Sequence, residues 1–506
     1  MKIAFVYGAF ENLGIEYLSA ILKLHGHSTR LAFDPMLFND PFMHIHSFSK
    51  LFDYQKILLK QILDYKPDML AFSVVSSYYQ WALKIAQEIK KYLPFVHITF
   101  GGIHPSAIPE KVLANDCVDS VVIGEGDNPL LELANSLGKG KLDHSIKNIW
   151  FKCDGQIIKN PLRPYIEELD SLPFPDKELY YDVIPKYKSG YTIVTRRGCI
   201  NSCSFCCNNI WHMRYPGQKK IRFRSVDNVI MELKDALRRY NFKQLRINDD
   251  LFTYNADWLK EFSKAYKKNI GKPTCCFSSP DQINENVIRY LKDIKCYQIC
   301  LGVQSVNPFL RKQVLNRGGD NKKIKEAIYL LRENKIRCVV DNILGIPGEK
   351  EEDLLETARF YNENRPNRVC IFWLIYYPRT PIVDKALKEG ILNDELIDSI
   401  EDDPYRGANT LQNKIHTKNK IRFHWLLLLL HFIPAGIYNS FIKKKLYKFL
   451  PLISPSILEA LYTMLAKDRL DIPRKRYYIR YFHFMRGILK IKFENLLSKQ
   501  EYHTHR

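Results

Sequence analysis

The sequence predicts an α/β chain in three parts: an N-terminal doubly wound parallel sheet, a partial (β/α)6 barrel, and a mainly α-helical, basic C-terminal segment. Three observations predict it. Short apolar runs alternate with helical spacings over residues 1–150. The same alternation resumes at Tyr191 and repeats six times. The basic residues then gather at the end: +15 of the net charge of +21 falls in residues 405–506. A length of 506 residues suits about three domains. With 46% hydrophobic and 26% charged residues, disordered and collagen-like classes are excluded.

In the first part (1–150), strands are expected at Ile3–Tyr7, Met69–Val75, Val96–Gly101 and Ser120–Ile123. Helices are expected at Gly14–Leu24 and Tyr79–Tyr92. Strands alternating with helices imply parallel pairing, and ligands of such sheets sit beyond the carboxyl ends of the strands. Those ends carry Ser73, Ser76, Gly101, Gly102 and Gly124-Glu125-Gly126, small residues that let a large ligand reach the backbone. The first strand ends in Gly8-Ala9-Phe10-Glu11-Asn12-Leu13-Gly14, not Gly-x-Gly-x-x-Gly, so a dinucleotide is disfavoured. The opening Met1–Gly8 reads as this strand and not as a secretory leader, and the chain is expected to be cytoplasmic.

Residues 151–190, with Pro161, Pro164, Pro173, Pro175 and Pro185, read as a linker. The barrel is expected over 191–400. Its strands would be Tyr191–Thr195, Gln244–Asn248, Thr274–Ser278, Gln298–Val303, Arg337–Leu344 and Arg368–Ile375. Active sites of such barrels lie at the carboxyl ends of the strands, where Asp249, Asp250, Ser278, Gln304 and Ser305 fall. Residues 401–506 read as one basic, partly apolar helical domain. Within it Trp425–Tyr438 is apolar but too short to span a bilayer. It is expected either as a buried helix or, beside Lys443-Lys444-Lys445, as a peripheral membrane contact at the inner membrane face. The basic aromatic stretch Arg474–Phe484 also suits nucleic acid, but the apolar run adds no phosphate contact, and nucleic-acid binding is disfavoured.

The chemistry lies in Cys199-Ile200-Asn201-Ser202-Cys203-Ser204-Phe205-Cys206, a Cys-x3-Cys-x2-Cys loop directly after a strand. Thiolates are soft ligands suited to iron–sulfur clusters. Three thiolates on a 4Fe–4S cluster leave one iron open, as catalytic metal sites require. A zinc site would want four Cys or His ligands, and His212 supplies no second pair. Cys207 stands outside the spacing.

This loop, opening a (β/α) barrel with an aromatic before the third cysteine, resembles the radical S-adenosylmethionine (SAM) superfamily. The resemblance implies that Cys199, Cys203 and Cys206 hold the cluster. It also implies that the open iron chelates SAM, and that reductive cleavage yields a 5′-deoxyadenosyl radical. By the same resemblance, Phe205, Asp249, Asp250, Gln304, Ser305, Asn342 and Gly345 are the expected SAM contacts, and a flavodoxin or ferredoxin the expected electron donor. The first part, with Leu13-Gly14, Gly101-Gly102-Ile103-His104 and Gly124-Glu125-Gly126-Asp127 in order, resembles the cobalamin-binding domain of cobalamin-dependent members. This implies cobalamin contacts at Asn12, Leu13, Ser73, Ser76, Gly101, Gly102, Gly124 and Glu125, and a radical formed beside the corrin. No Asp-x-His-x-x-Gly supplies a cobalt ligand; His104 is the histidine nearest a strand end. A methylthiotransferase would need cluster cysteines in the first domain, and none precedes Cys117. The implied activity is radical C-methylation of a hydrophobic or lipid-like small molecule. The alternatives are a cyclase or oxidoreductase without methyl transfer and, in another class, a nucleic-acid-binding protein.

Overall fold

In Lys2–Gly8 (β1) every residue from Ile3 on is buried, as a strand covered on both faces requires. Around it the computed structural model, which describes residues 1–40, 43–404, 417–452 and 477–490, builds the first of two units. This unit comprises Met1–Arg163, Pro173–Tyr187 and the described residues 477–490. Its sheet adds Ser28–Asp34 (β2), Met69–Ser73 (β3), His97–Gly101 (β4), Ser120–Val122 (β5), Ile149–Cys153 (β6) and Gln156–Lys159 (β7). The order is β2-β1-β3-β4-β5-β6-β7. The first five strands pair parallel, and β6 and β7 add an antiparallel edge. The chain leaves β1 first to one side and then to the other, so the switch point lies between β1 and β3. Helices Leu13–Leu24 (α1) and Tyr79–Tyr92 (α2) fall where their spacing predicts.

Two boundaries differ from expectation. Residues 151–159 are not linker but sheet edge, and the proline-rich stretch is divided, Pro164–Leu172 joining the second unit and Pro173–Tyr187 the first. Strand β2 escapes the pattern because only its second half, Leu31–Asp34, is buried.

The second unit holds a six-stranded parallel sheet: Gly190–Ile193 (β8), Gln244–Ile247 (β9), Thr274–Ser278 (β10), Cys296–Gln304 (β11), Arg337–Leu344 (β12) and Arg368–Trp373 (β13), in chain order. Helices Val226–Tyr240 (α3), Ala256–Asn269 (α4), Glu285–Asp293 (α5), Asn321–Glu333 (α6) and Glu351–Asn364 (α7) alternate with the strands. Side chains alternate across a strand. Ile299, Leu301 and Val303 of β11, and Cys338, Val340 and Leu344 of β12, enter the core under the helices. Cys300, Gly302, Asp341 and Cys370 therefore face the opposite, concave side.

The expected single C-terminal domain is not formed. Helices Thr417–Leu429 (α8) and Ala435–Lys443 (α9) belong to the second unit. Phe423, Leu426, Leu427, Leu430, Tyr438 and Ile442 complete its core. Arg365 holds the turn between these helices, donating to the carbonyls of Leu430 (2.7 Å) and Ile433 (3.0 Å). The helical residues 477–490 belong instead to the first unit, where Arg480 pairs with Asp40 at 2.8 Å, both side chains fully buried. The hydroxyls of Tyr477 and Tyr481 also donate to Asp40. Of the tail aromatics noted for stacking on bases, Tyr477 and Tyr481 are spent here and Phe482 stays exposed; Arg474, Lys475 and Arg476 lie outside the described residues. Among the described residues no helix is long and apolar enough to cross a membrane.

The first half of the apolar run, 425–430, is thus core, with a measurable consequence. Leu426 is fully buried, so Leu426→Ala is expected to cost about 2–5 kcal/mol in urea unfolding of the purified protein. A leucine held for lipid would leave that value within about 0.5 kcal/mol of the parent.

Candidate functional site

In the second unit, β8 runs into the cysteine loop through a buried ionic junction. Asp249 accepts from Thr195 N (2.7 Å), Thr195 Oγ1 (2.5 Å) and Arg196 Nε (3.2 Å). Gly198 then turns at φ +92°, where a Cβ would strike the Lys220 carbonyl; only glycine permits this entry. Beyond it the loop is held from several sides. His212 Nε2 lies 3.0 Å from the Cys199 carbonyl, Asn209 Nδ2 donates to the Cys203 carbonyl, and Ser204 Oγ donates to the Val314 carbonyl (2.6 Å). The His212 ring is thereby engaged on backbone.

Cys199 and Cys203 are buried, Cys206 half-buried. Burial pushes the Cys199 thiol up to about 11 and raises Cys203. Cys206 is raised by its hydrogen bond with Cys207, and then by burial. These thiols keep their protons at neutral pH, so bound iron must displace them. Among the described residues no three His, Cys, Asp or Glu side chains converge as a single-ion site. A cluster asks something else: one thiolate for each of three irons.

The other expected contacts separate into two groups. Asp250 is exposed and accepts from Asn208 Nδ2 (2.9 Å). Gln304 sits at φ +69° at the end of β11, with its amide beside Gly302. Gly345, at φ +78°, donates its N–H to Glu349 (2.6 Å), and a side chain there would begin in van der Waals contact with the Trp373 ring. Phe205 packs against the apolar cluster of Ile343 and Ile346.

Three residues are committed elsewhere. Asp249 is fully buried in the junction. Ser305 braces a turn, with Oγ accepting from Asn307 N and its carbonyl from Arg311. Asn342 faces the helices, accepting from the Tyr361 hydroxyl (3.0 Å), because it has the strand parity of Val340 and Leu344. Tyr376, just past the end of β13, is core.

In the first unit, the β1–β3 switch point carries Asn12 and Ser73, whose side chains meet at 3.2 Å. Asn12 also caps α1, accepting from Ile15 N, and Leu13 starts the helix. At the next strand end, Gly102 adopts φ +99°, and a Cβ there would lie 2.9 Å from the Val74 carbonyl. Gly101 closes β4 by accepting from Val74 N (2.7 Å). Ser106 Oγ donates to the Gly102 carbonyl (2.7 Å) and accepts from Gly124 N (3.1 Å), tying the loops of Gly101-Gly102 and Gly124-Glu125 together. Ser76 Oγ meets His104 Nδ1 at 3.0 Å, and His104 Nε2 is buried without a hydrogen-bond partner. Burial lowers His104 to about 3, so the ring is neutral. Fully buried against Tyr79, it has no open face toward the crevice.

Two family models match the chain, one in each unit. Residues 193–361 match the Radical SAM superfamily and residues 3–134 the B12 binding domain. An uncharacterized methyltransferase of Pyrococcus horikoshii is 26% identical over 66% of this chain and 72% of that protein. The anaerobic magnesium-protoporphyrin IX monomethyl ester cyclase of Rubrivivax gelatinosus is 24% identical over 75% of this chain and 68% of that protein. Among solved structures, the radical SAM methyltransferase TsrM from Kitasatospora setae, with cobalamin and a [4Fe-4S] cluster bound, aligns with a TM-score of 0.61. It is 15% identical and covers 76% of this chain and 75% of that chain. The chain is a radical SAM enzyme with a B12-binding domain. Its cofactors are a 4Fe–4S cluster, SAM and cobalamin.

The donor set and the crevice suit these groups: three thiols on one braced loop, and strand ends closed by residues without bulk. This radical SAM enzyme also has partners that spacing does not reveal. Arg317 Nη1 donates to Cys203 Sγ (3.4 Å) and Nε to the Gly302 carbonyl (2.9 Å). A cation there would offset negative charge on a thiolate at Cys203. Lys177, fully buried, reaches Glu16 (2.7 Å) and Glu11 (3.4 Å) and fixes the loop after β1. The only available signal is an Arg before Gly318 and a Lys two residues after Pro175, too common to single out.

Gly102 gives a test of the crevice. Its φ of +99° with ψ of −169° lies in a glycine-only region. Gly102→Ala is expected to destabilise the first unit by about 1–3 kcal/mol and to lower the cobalamin retained after gel filtration. Thermal unfolding and the cobalamin absorbance report the two effects.

Proposed function

We propose that this enzyme C-methylates an unactivated carbon of a hydrophobic or lipid-like small molecule. The observation that carries the reading is the joining, in one chain, of a braced three-cysteine loop on a partial barrel with a small-residue crevice at the switch point of a B12-binding sheet. Bound there, the cluster and SAM supply a 5′-deoxyadenosyl radical and cobalamin supplies the methyl group. The protein's part is positioning and exclusion of side reactions. Cys199, Cys203 and Cys206 hold the cluster, with Arg317 as the cation on Cys203. Asp250, Gln304 and Gly345 are the residues free to meet SAM. Asn12, Ser73, Gly101, Gly102 and Gly124 line the cobalamin crevice. An apolar substrate is supported by Phe372 on the concave side, exposed at the end of β13.

In this reading the enzyme works in the cytoplasm, receives electrons from a flavodoxin or ferredoxin, and touches the inner membrane face peripherally. Exposed Phe432, Ile437 and Phe449 near Lys443, Lys444, Lys445 and Lys448 support that contact. The second reading, cyclisation or oxidation without methyl transfer, is favoured by the likeness to the cyclase of Rubrivivax gelatinosus.

Anaerobic reconstitution with cobalamin, SAM and a low-potential reductant tests the proposal. Formation of 5′-deoxyadenosine with S-adenosylhomocysteine and methylcobalamin supports methyl transfer. Formation of 5′-deoxyadenosine alone moves the assignment to the second reading, and absence of 5′-deoxyadenosine refutes both.

A further inference from the structure

The loop that leaves β1 is held from two directions. On the crevice side Asn12 meets Ser73. Before it, Ala9 turns at φ +66°, donates its N–H to the Asp34 carbonyl (2.9 Å) and packs with Met36 and Tyr78. Half-buried Phe10 joins that apolar group beside Val75, just past β3, and Trp81 of α2. Phe10 therefore stands at the switch point between β1 and β3, where the cobalamin crevice opens.

The far end of the chain meets the same ring. The Tyr477 ring stacks on Phe10, with 6.1 Å between centroids and 25° between planes. The Arg480 guanidinium lies 4.8 Å from the Phe10 centroid, 4.8 Å from that of Tyr477 and 5.1 Å from that of Tyr481. Arg480 is fully buried. Its Nη2 donates to Asp40 (2.8 Å), while Nε and Nη1 have no hydrogen-bond partner among the described residues. Ring faces stabilise the rest of this cation. Of the three rings, Phe10 is the one that residues 477–490 do not themselves supply. The helix is also seated on β2, where Phe484 packs on Phe33 at 5.7 Å.

We propose that Arg480 is a positioning residue for cobalamin. Acting through the Phe10 ring, it fixes the loop at the β1 end of the crevice, so the cofactor is held in full only with residues 477–490 docked. A loop already ordered by the helix loses less conformational entropy when the cofactor binds. Docking and binding are then coupled, and by linkage each strengthens the other. The barrel lies between Phe10 and Arg480 in the chain, so the crevice is completed only after the barrel has been made.

The test uses the full-length apoprotein and hydroxocobalamin alone. Adding hydroxocobalamin is expected to slow hydrogen exchange in residues 477–490 and to leave Gln156–Lys159, at the far edge of the sheet, unchanged. No change in 477–490, or equal slowing in both segments, overturns the coupling. Tyr477→Leu removes the ring stacked on Phe10, and is expected to weaken hydroxocobalamin binding about tenfold, a usual size for coupled sites. Tyr477→Phe keeps that ring and loses only the hydroxyl, and is expected to restore most of the affinity. Arg480→Gln is expected to weaken binding at least as much as Tyr477→Leu. If it folds poorly, the Tyr477 pair and the exchange measurement decide. A helix that only props the fold gives another pattern. The urea midpoint then falls in Tyr477→Leu while the folded protein binds hydroxocobalamin as the parent does, and that result overturns the proposal. A parent protein that binds no hydroxocobalamin fails the crevice itself, and the proposal with it.

Discussion

Alanine at Cys199, Cys203 and Cys206 together is expected to abolish both the iron–sulfur absorbance and reductive formation of 5′-deoxyadenosine, leaving a folded protein. The two losses go together because the cluster is the only entry point for the electron that cleaves SAM. The fold survives because the loop is held by other groups: Ser204 on the Val314 carbonyl, Asn209 on the Cys203 carbonyl, His212 beside the Cys199 carbonyl. Each substitution removes one small buried or half-buried side chain, worth about 1 kcal/mol. Cys207→Ala is the control. It removes the hydrogen-bond partner of Cys206 but is expected to keep cluster and product. If Cys207 were a ligand, its loss would remove the cluster as fully as the loss of Cys206. Iron and sulfide content, the visible spectrum and chromatography of 5′-deoxyadenosine decide between these outcomes. A triple variant that still makes 5′-deoxyadenosine would refute the cluster assignment.

The sequence shows these three cysteines because their chemistry is local: all three lie within eight residues on one loop, and nothing distant is needed to recognise them. The barrel is legible for a related reason. A parallel strand buried on both faces must be a nearly continuous apolar run, and its crossover helix must show a 3.6-residue period. Thus the strands Thr274–Ser278 and Arg337–Leu344 fall on the residues their patterns predict. What is hidden is decided by residues far apart in the chain. Arg480 meets Asp40 across 440 positions, so no reading of the basic tail alone assigns the helical residues 477–490 to the first unit. Arg317 comes to Cys203 across 114 positions. Asn342 is misjudged for a different reason. Its position at the end of a barrel strand is right, but a period of two places it on the helix side, where Tyr361 holds it.

Asp249→Ala is the change expected to cost the most stability, about 3–5 kcal/mol, because it breaks a buried ion pair by removing one partner. The carboxylate it deletes serves three donors at once, two on Thr195 and one on Arg196. Left behind is a guanidinium buried under the Phe223 ring, with Nη2 on the Phe252 carbonyl and Nη1 already without a partner. That charge cannot reach water without opening the junction between β8 and the cysteine loop, so cluster binding weakens with folding stability. Asp249→Asn keeps an acceptor for Thr195 but loses the charge, and is expected to fall between alanine and the parent. A carboxylate held for SAM alone behaves in the opposite way: alanine raises the SAM concentration needed for half-maximal cleavage and leaves the unfolding midpoint in place. Urea unfolding of the apoprotein, where no SAM or iron is present, separates the two. A midpoint unchanged in Asp249→Ala would return this residue to the SAM contacts, and a large loss assigns it to the junction that aims the loop.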